Sequence, residues 1–315
     1  MDINTAKEVI ACLPQGKTPF SYYKDRYAAF ILSQVIGEYC MISELKQSAY
    51  SGLLNKPVIK EIVAKSGDGR LHHDQLEMLC LQAAEPFLLT LDHWGHGDRE
   101  WDQVSRKGHN LVLQLNFSNK HDALFKKLVN PDENHSFKSF GHPVMKKGER
   151  SLFRETLAWA RIDFDFKSNE ALIEELQTDW LRVARRLLKQ VDSGRTKFYF
   201  TGINTTPEKL KSYLECLLIT YGKIWDEAML TAAIQFIYQE LGIDKIYLHT
   251  PETGAAIKKI KYTQPPKSLY SSLPKKFCFS QTKKAPEFLC QSRAFRKLEK
   301  TLGGSQWNIL NLAMH

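Results

Sequence analysis

The residues best placed to do chemistry lie together near the middle of the chain. Glu174-Glu175-Leu176-Gln177-Thr178-Asp179-Trp180 holds five polar residues in seven, directly after the apolar Ala171-Leu172-Ile173. Read as a strand, the run puts Ile173, Glu175, Gln177 and Asp179 on one face. Leu172, Glu174, Leu176 and Thr178 fall on the other, with successive residues of a face about 6 to 7 Å apart. Carboxylates carried into a sheet need partners, for which Arg161, Arg182 or backbone amides are candidates. Glu175, Gln177 and Asp179 are therefore candidate catalytic residues for proton transfer, or a site for a polar or cationic ligand. The competing reading is a hydrogen-bonded network tying strand to helix. In it Asp179 caps the helix that Trp180 opens, and Trp180 packs beneath that helix as support.

Further ligand-binding candidates sit on neighbouring segments. In Asn110 to Ser118, Leu111, Leu113, Leu115 and Phe117 share one face, and Gln114 and Asn116 lie on the opposite, polar face. That face could bind a polar ligand or simply meet water. Arg161 lies on the strand ETLAWARIDFDF, whose Ile162, Phe164 and Phe166 alternate with Arg161, Asp163 and Asp165. His249 ends the apolar run KIYLHT just before a helix, a frequent ligand position in α/β sheets. His93-Trp94-Gly95-His96 matches no zinc spacing, so no metal is expected. Phosphate-binding, dinucleotide, serine-hydrolase and zinc-protease motifs are absent.

The elements that must position these residues follow from periodicity and punctuation. Residues 1–85 read as a helical block, including a helix from Pro57 to Gly67 and another over Leu71 to Gln82. From Pro86 the pattern turns to strands: PFLLTLDHW, NLVLQLNFS, then a hairpin built from ETLAWARIDFDF and EALIEELQTDW. Trp180 to Gln190 is a basic amphipathic helix, and Thr206-Pro207 is a strong helix start. The chain is thus expected to be α+β: a helical N-terminal region, 1–85, against a mixed α/β core, 86–315.

Composition narrows the function classes. The 315 residues carry 44 Lys and Arg against 35 Asp and Glu, a net +9, with 43% hydrophobic residues. These values exclude a disordered or fibrous chain. No apolar run is long enough to span a bilayer, no leader is visible, and the six cysteines form no C-x-x-C pair, so a soluble cytoplasmic protein without a membrane partner is expected. Residues 256–300 hold twelve Lys and Arg against Glu287 and Glu299, a net +10, so the remainder carries −1. Lys258, Lys259, Lys261, Lys275 and Lys276, interleaved with Tyr262, Tyr270, Phe277 and Phe279, are candidate contacts to nucleic acid or another polyanion. The alternative is a solvated basic face.

LIEELQTDW resembles the IEEIQSDW signature of large polyvalent proteins of phages and mobile elements. Trp225-Asp226-Glu227-Ala228-Met229 through Leu241-Gly242-Ile243 and the element Tyr270-Ser271-Ser272-Leu273-Pro274 extend that resemblance over about residues 155–280. It implies no particular activity. The N-terminal part, with NLVLQLNFSNKHD, resembles bacterial proteins of similar length. More distantly, the paired strands, helix, strand and closing Leu269-Tyr270 with Phe277-Cys278-Phe279 resemble the GNAT N-acetyltransferases. That likeness implies a mixed sheet and a divergent transferase. GNAT enzymes cradle the coenzyme A pyrophosphate on a glycine-rich turn at a helix N-terminus. Here the segment after Asp179-Trp180, LRVARRLLK, has no glycine, and the cofactor is left unassigned. The alternative class is a non-catalytic nucleic-acid- or protein-binding factor acting through residues 256–300.

Overall fold

The structure is a computed structural model that describes residues 1–12, 17–95, 102–132, 137–146, 153–195, 202–260 and 265–312. In chain order the elements begin with α1 (Ile3–Cys12), β1 (Lys17–Tyr22), α2 (Arg26–Val35), β2 (Tyr39–Met41), α3 (Ile42–Gln47), α4 (Pro57–Lys65), β3 (Arg70–His72) and α5 (His73–Cys80). Next come β4 (Glu85–Trp94), β5 (Asn110–Asn116), α6 (Asn119–Val129), β6 (Thr156–Asp165), β7 (Glu170–Gln177), α7 (Asp179–Asp192), α8 (Pro207–Tyr221) and α9 (Trp225–Gln235), which runs on into a π-turn, Phe236–Glu240. The chain closes with β8 (Lys245–His249), α10 (Pro251–Ile257), α11 (Ser272–Lys276), β9 (Ser280–Thr282), α12 (Glu287–Cys290), α13 (Arg293–Thr301) and β10 (Trp307–Asn311).

Eight strands form one sheet in the order β1-β4-β5-β6-β7-β8-β10-β9. Every neighbouring pair is antiparallel except β7 and β8, which run parallel. The fold is α+β. The N-terminal region joins the sheet: β1 pairs with β4 from Lys17↔Thr90 to Tyr22↔Glu85, across the boundary expected at residue 85. The expected helical block of residues 1–85 also contains three strands, β1, β2 and β3, and β2 separates α2 from α3.

One face of the sheet is apolar. Leu111, Leu113, Leu115, Ile162, Phe164, Ile173 and Leu176 belong to a single core that also takes in the inner faces of α2, α7 and α9. Helix α7 fits there because Trp180, Leu181, Val183, Ala184 and Leu187 fall on one side and its arginines on the other. Thr178 caps it, accepting the Leu181 amide at 3.3 Å. Trp180 is packed against Phe117, Phe125 and Phe137 and donates Nε1–H to Tyr213 Oη at 2.8 Å. Truncating an indole so placed would cost about 3–5 kcal/mol.

The other face is polar, and two irregular segments cover it. Arg161 donates to the carbonyls of Asp102 (2.6 Å) and Gln103 (3.1 Å), and Arg106 clasps Asp163. Gln114 donates to the Pro143 carbonyl at 3.0 Å, and Thr156 Oγ1 accepts the Met145 amide at 2.9 Å. Residues 102–109 and 137–146 thereby roof the sheet, satisfying polar groups that would otherwise be buried at a cost.

Candidate functional site

The site begins with a fault in strand pairing. β6 and β7 pair Arg161↔Glu175 and then Ile162↔Ile173, so Glu174 is an extra residue in β7. Such a bulge re-aims side chains. Ile173 joins Leu176 on the apolar side, whereas strict alternation had placed it with Glu175. Glu174 and Glu175 both bond to the polar-side roof or its partners, Glu174 to Ser105 and Glu175 to Arg161.

The parallel pairing of β7 with β8 stops at Ile173↔Leu248. Beyond it β7 continues alongside β6 while β8 ends at His249, so a cleft opens between the two strand ends. It is lined by Gln103, Glu174, Glu175, His249, Gly254, Lys258 and Tyr270, and its free volume of about 20 Å³ is room for one water. Open sheets with parallel strands present ligands at such a parting.

Glu174 is wholly buried at the back of this cleft. Its Oε1 accepts the Ser105 amide at 2.9 Å. Its Oε2 lies 2.9 Å from Ser105 Oγ, 3.1 Å from His249 Nε2 and 3.2 Å from Lys258 Nζ. Lys258 also donates to the Glu174 carbonyl. Burial alone would raise the Glu174 carboxyl, but Lys258, His249 and Arg161 together hold it well below the ordinary carboxylate range. Burial draws His249 below its usual value, and the Lys258 charge adds to this against the pull of Glu174. Burial also lowers Lys258, against Glu174.

The hydrogen bonds set the tautomer of the imidazole. An ionised Glu174 only accepts, so His249 Nε2 carries the proton and donates it toward Glu174 and Ser105 Oγ, 3.0 Å away. Nδ1 then holds the lone pair, and it is buried with no partner among the described residues. A serine–histidine–acid relay needs the acid on one ring nitrogen and the hydroxyl on the other. Here both meet Nε2, so Ser105 is not built as a relay nucleophile. Gly254 lets α10 lie against the ring: a Cβ there would sit 3.1 Å from His249 Cβ and 3.3 Å from Cγ.

Gln177 and Asp179 form a second cluster further along the same strand. Asp179 is not the cap of α7 but its first residue, and Thr178 does the capping. Its carboxylate accepts from His142 Nδ1 (2.6 Å), Gln177 Nε2 (3.0 Å), the Ser139 amide (3.2 Å) and Arg182. Burial raises this carboxyl, and the His142 hydrogen bond and charge, with the Ser139 amide and Gln177, more than offset it, so it lies below its ordinary value.

The other sequence candidates divide clearly. Glu175 and His249 line the cleft, and Arg161 is ion-paired with Glu175 beside it. Gln114 and Asn116 are buried and taken up in hydrogen bonds within the sheet and to its roof. Gln114 accepts from Thr90 Oγ1 at 2.5 Å, and Asn116 donates to Thr90 Oγ1 at 2.8 Å and accepts from Thr156 Oγ1 at 2.7 Å. Among the basic residues, Lys258 cannot meet a polyanion in solvent because it is buried on Glu174. Lys276 pairs with the buried Glu227 at 3.2 Å. Lys259 and Lys275 are exposed, and Lys261 lies outside the described residues. His93 is paired with Asp92, His96 lies outside the described residues, and no described cluster has the ligands for a metal. Ser105, His142 and Glu174 escaped the sequence reading: the first two sit in irregular segments without periodicity, and the third was put on the wrong face by the unseen bulge. No family model, curated protein or solved structure matches the chain.

Proposed function

We propose that the protein binds a small polar ligand where β7 and β8 part and acts there, in the cytoplasm, as a divergent transferase. The observation that carries this reading is the buried neutral His249, with its Nε2–H held by Glu174 and Ser105 and its Nδ1 lone pair unpartnered among the described residues. Such a nitrogen is a proton acceptor at neutral pH. The acceptor's O–H or N–H proton passes to Nδ1 as the bond to the transferred group forms, and the donor's leaving group departs with its electron pair. The cleft as it stands admits only the reacting end of a ligand.

The resemblance to GNAT enzymes supports a transferase but not their usual cofactor pose. At the start of α7, Thr178 already takes the Leu181 amide and Asp179 adds a negative charge, which opposes a pyrophosphate there. Polyanion binding through residues 256–300 has weaker support, since Lys258 is internal and Lys276 is paired.

Thermal shift with acetyl-coenzyme A and nucleotides tests the reading. A ligand present at 100 times its Kd stabilises by about 2.7 kcal/mol. A shift that persists in His249→Gln while transfer is lost is the expected result. The absence of any shift from these donors would overturn the transferase assignment.

A further inference from the structure

Helix α7 turns one face away from the core, and that face is cationic. Arg182, Arg185, Arg186 and Lys189 are all exposed on it, and neither the Arg185 nor the Lys189 side chain has a hydrogen-bond or ion-pair partner among the described residues. At the N-terminal end of the face, Arg182 donates to Ser139 Oγ at 2.9 Å, which pins the segment bearing Phe140 beside the helix. Phe140 is completely exposed, and His142, two residues on, is partly so. At the other end Lys211 of α8 pairs with Asp192 at 2.7 Å, so the first turns of α8 lie against the end of α7.

We propose that this track, from Phe140 along the exposed face of α7, binds single-stranded nucleic acid. Guanidinium and ammonium groups spaced along a helix track a phosphate backbone, and an exposed ring at one end offers a stacking platform for a base. Arg182 and Lys189 are seven residues apart, about 10 Å along the axis, so the face spans more than one phosphate. An anionic membrane is the less fitting partner. The apolar side of α7 is buried in the core, leaving Phe140 as the sole large apolar side chain of this track among the described residues, too little for insertion. The proposal is independent of the cleft at His249 and uses none of its residues.

The test is fluorescence anisotropy with labelled single-stranded DNA and RNA of about 15 nucleotides, titrated over a range of salt. Wild type binds, with affinity falling as salt rises. Arg185→Glu/Lys189→Glu weakens binding more than tenfold and flattens the salt slope by about 1.4, the value for two phosphate contacts on a single strand. The neutral pair Arg185→Gln/Lys189→Gln, which brings no repulsion into the fold, gives a smaller loss of the same sign. Phe140→Ala weakens binding about tenfold with the slope unchanged. Lys283→Glu/Lys284→Glu, in the basic C-terminal segment, leaves binding intact. No binding at low salt overturns the proposal. So does a loss confined to the Lys283/Lys284 variant, or binding to phosphatidylserine vesicles without binding to oligonucleotide.

Discussion

Glu174→Gln changes one oxygen of a wholly buried side chain, and the structure gives the size of the effect. In the wild type Oε2 receives three donors, from Ser105 Oγ, His249 Nε2 and Lys258 Nζ. An amide offers one accepting oxygen, and its NH2 group must then oppose either the Ser105 amide at the Oε1 position or the three donors at Oε2, while the carboxylate charge that offsets Lys258 is gone in both cases. Ser105 can rotate its hydroxyl away, but the lysine charge, itself 5% exposed, cannot leave. Breaking one partner out of a buried ion pair costs about 3–5 kcal/mol. At about 2–4 °C per kcal/mol for a chain of this order, the melting temperature should fall by about 6–20 °C. Urea unfolding should show the same loss as a lower midpoint with an unchanged slope. A companion double variant, Glu174→Leu/Lys258→Met, removes both charges and refills the volume. It should be less destabilised than Glu174→Gln, because the penalty lies in the stranded charge and not in the lost attraction. A cost below about 1 kcal/mol for Glu174→Gln, or a double variant less stable than the single one, would refute the network. A double variant as stable as wild type that no longer binds ligand would show that the buried charges serve the cleft rather than the fold.

The same network sets the acid response. His249 is drawn below its ordinary value near 6.5, so below that pH the unfolded chain takes up a proton that the folded chain refuses, and stability falls. Glu174 is held below the ordinary value of about 4.3, so its contribution is complete above that pH and is lost as the pH falls further. Denaturant titrations should therefore show two successive losses on acidification, each with a limiting slope of about 1.4 kcal/mol per pH unit, and Glu174→Gln should lack the second. At the start of α7, Thr178→Ala removes the cap and the hydroxyl donated to the Leu157 carbonyl, and should cost about 0.5–2 kcal/mol. Asp179→Asn, which leaves that cap untouched, should cost about 1.5–3 kcal/mol through its charged hydrogen bonds. His142→Ala should remove most of the difference between Asp179 and Asn, and unfolding curves for the single and double variants would reveal a missing coupling directly.

What the sequence displayed and what it hid differ in physical kind. Periodicity is local, and wherever local forces decide, it reads correctly. The leucines of β5 face the core, Thr206 and Pro207 open α8, and Trp180 supports α7 from beneath. The expected face for Glu175, Gln177 and Asp179 holds in part: Glu175 and Gln177 stay on the polar side, but Asp179 has already entered the helix. Two kinds of information were missing. A single inserted residue, Glu174, reverses the phase of everything before it, and no residue type announces a bulge. That is why Ile173 was assigned to the polar face. The other is closure of distant segments. Ser105 reaches Glu174 across 69 residues, and His142 reaches Asp179 across 37. Such contacts depend on where loops lie, which side-chain pattern does not encode. The basic segment shows the same limit from the opposite direction. Lys258 looked like one charge among twelve, yet it lies inside the protein because Glu174, delivered by the bulge, gives it a partner. Charge counted along the chain therefore overstates what residues 256–300 offer to solvent, whereas α7, only one of several charged stretches in the sequence, keeps Arg185 and Lys189 exposed.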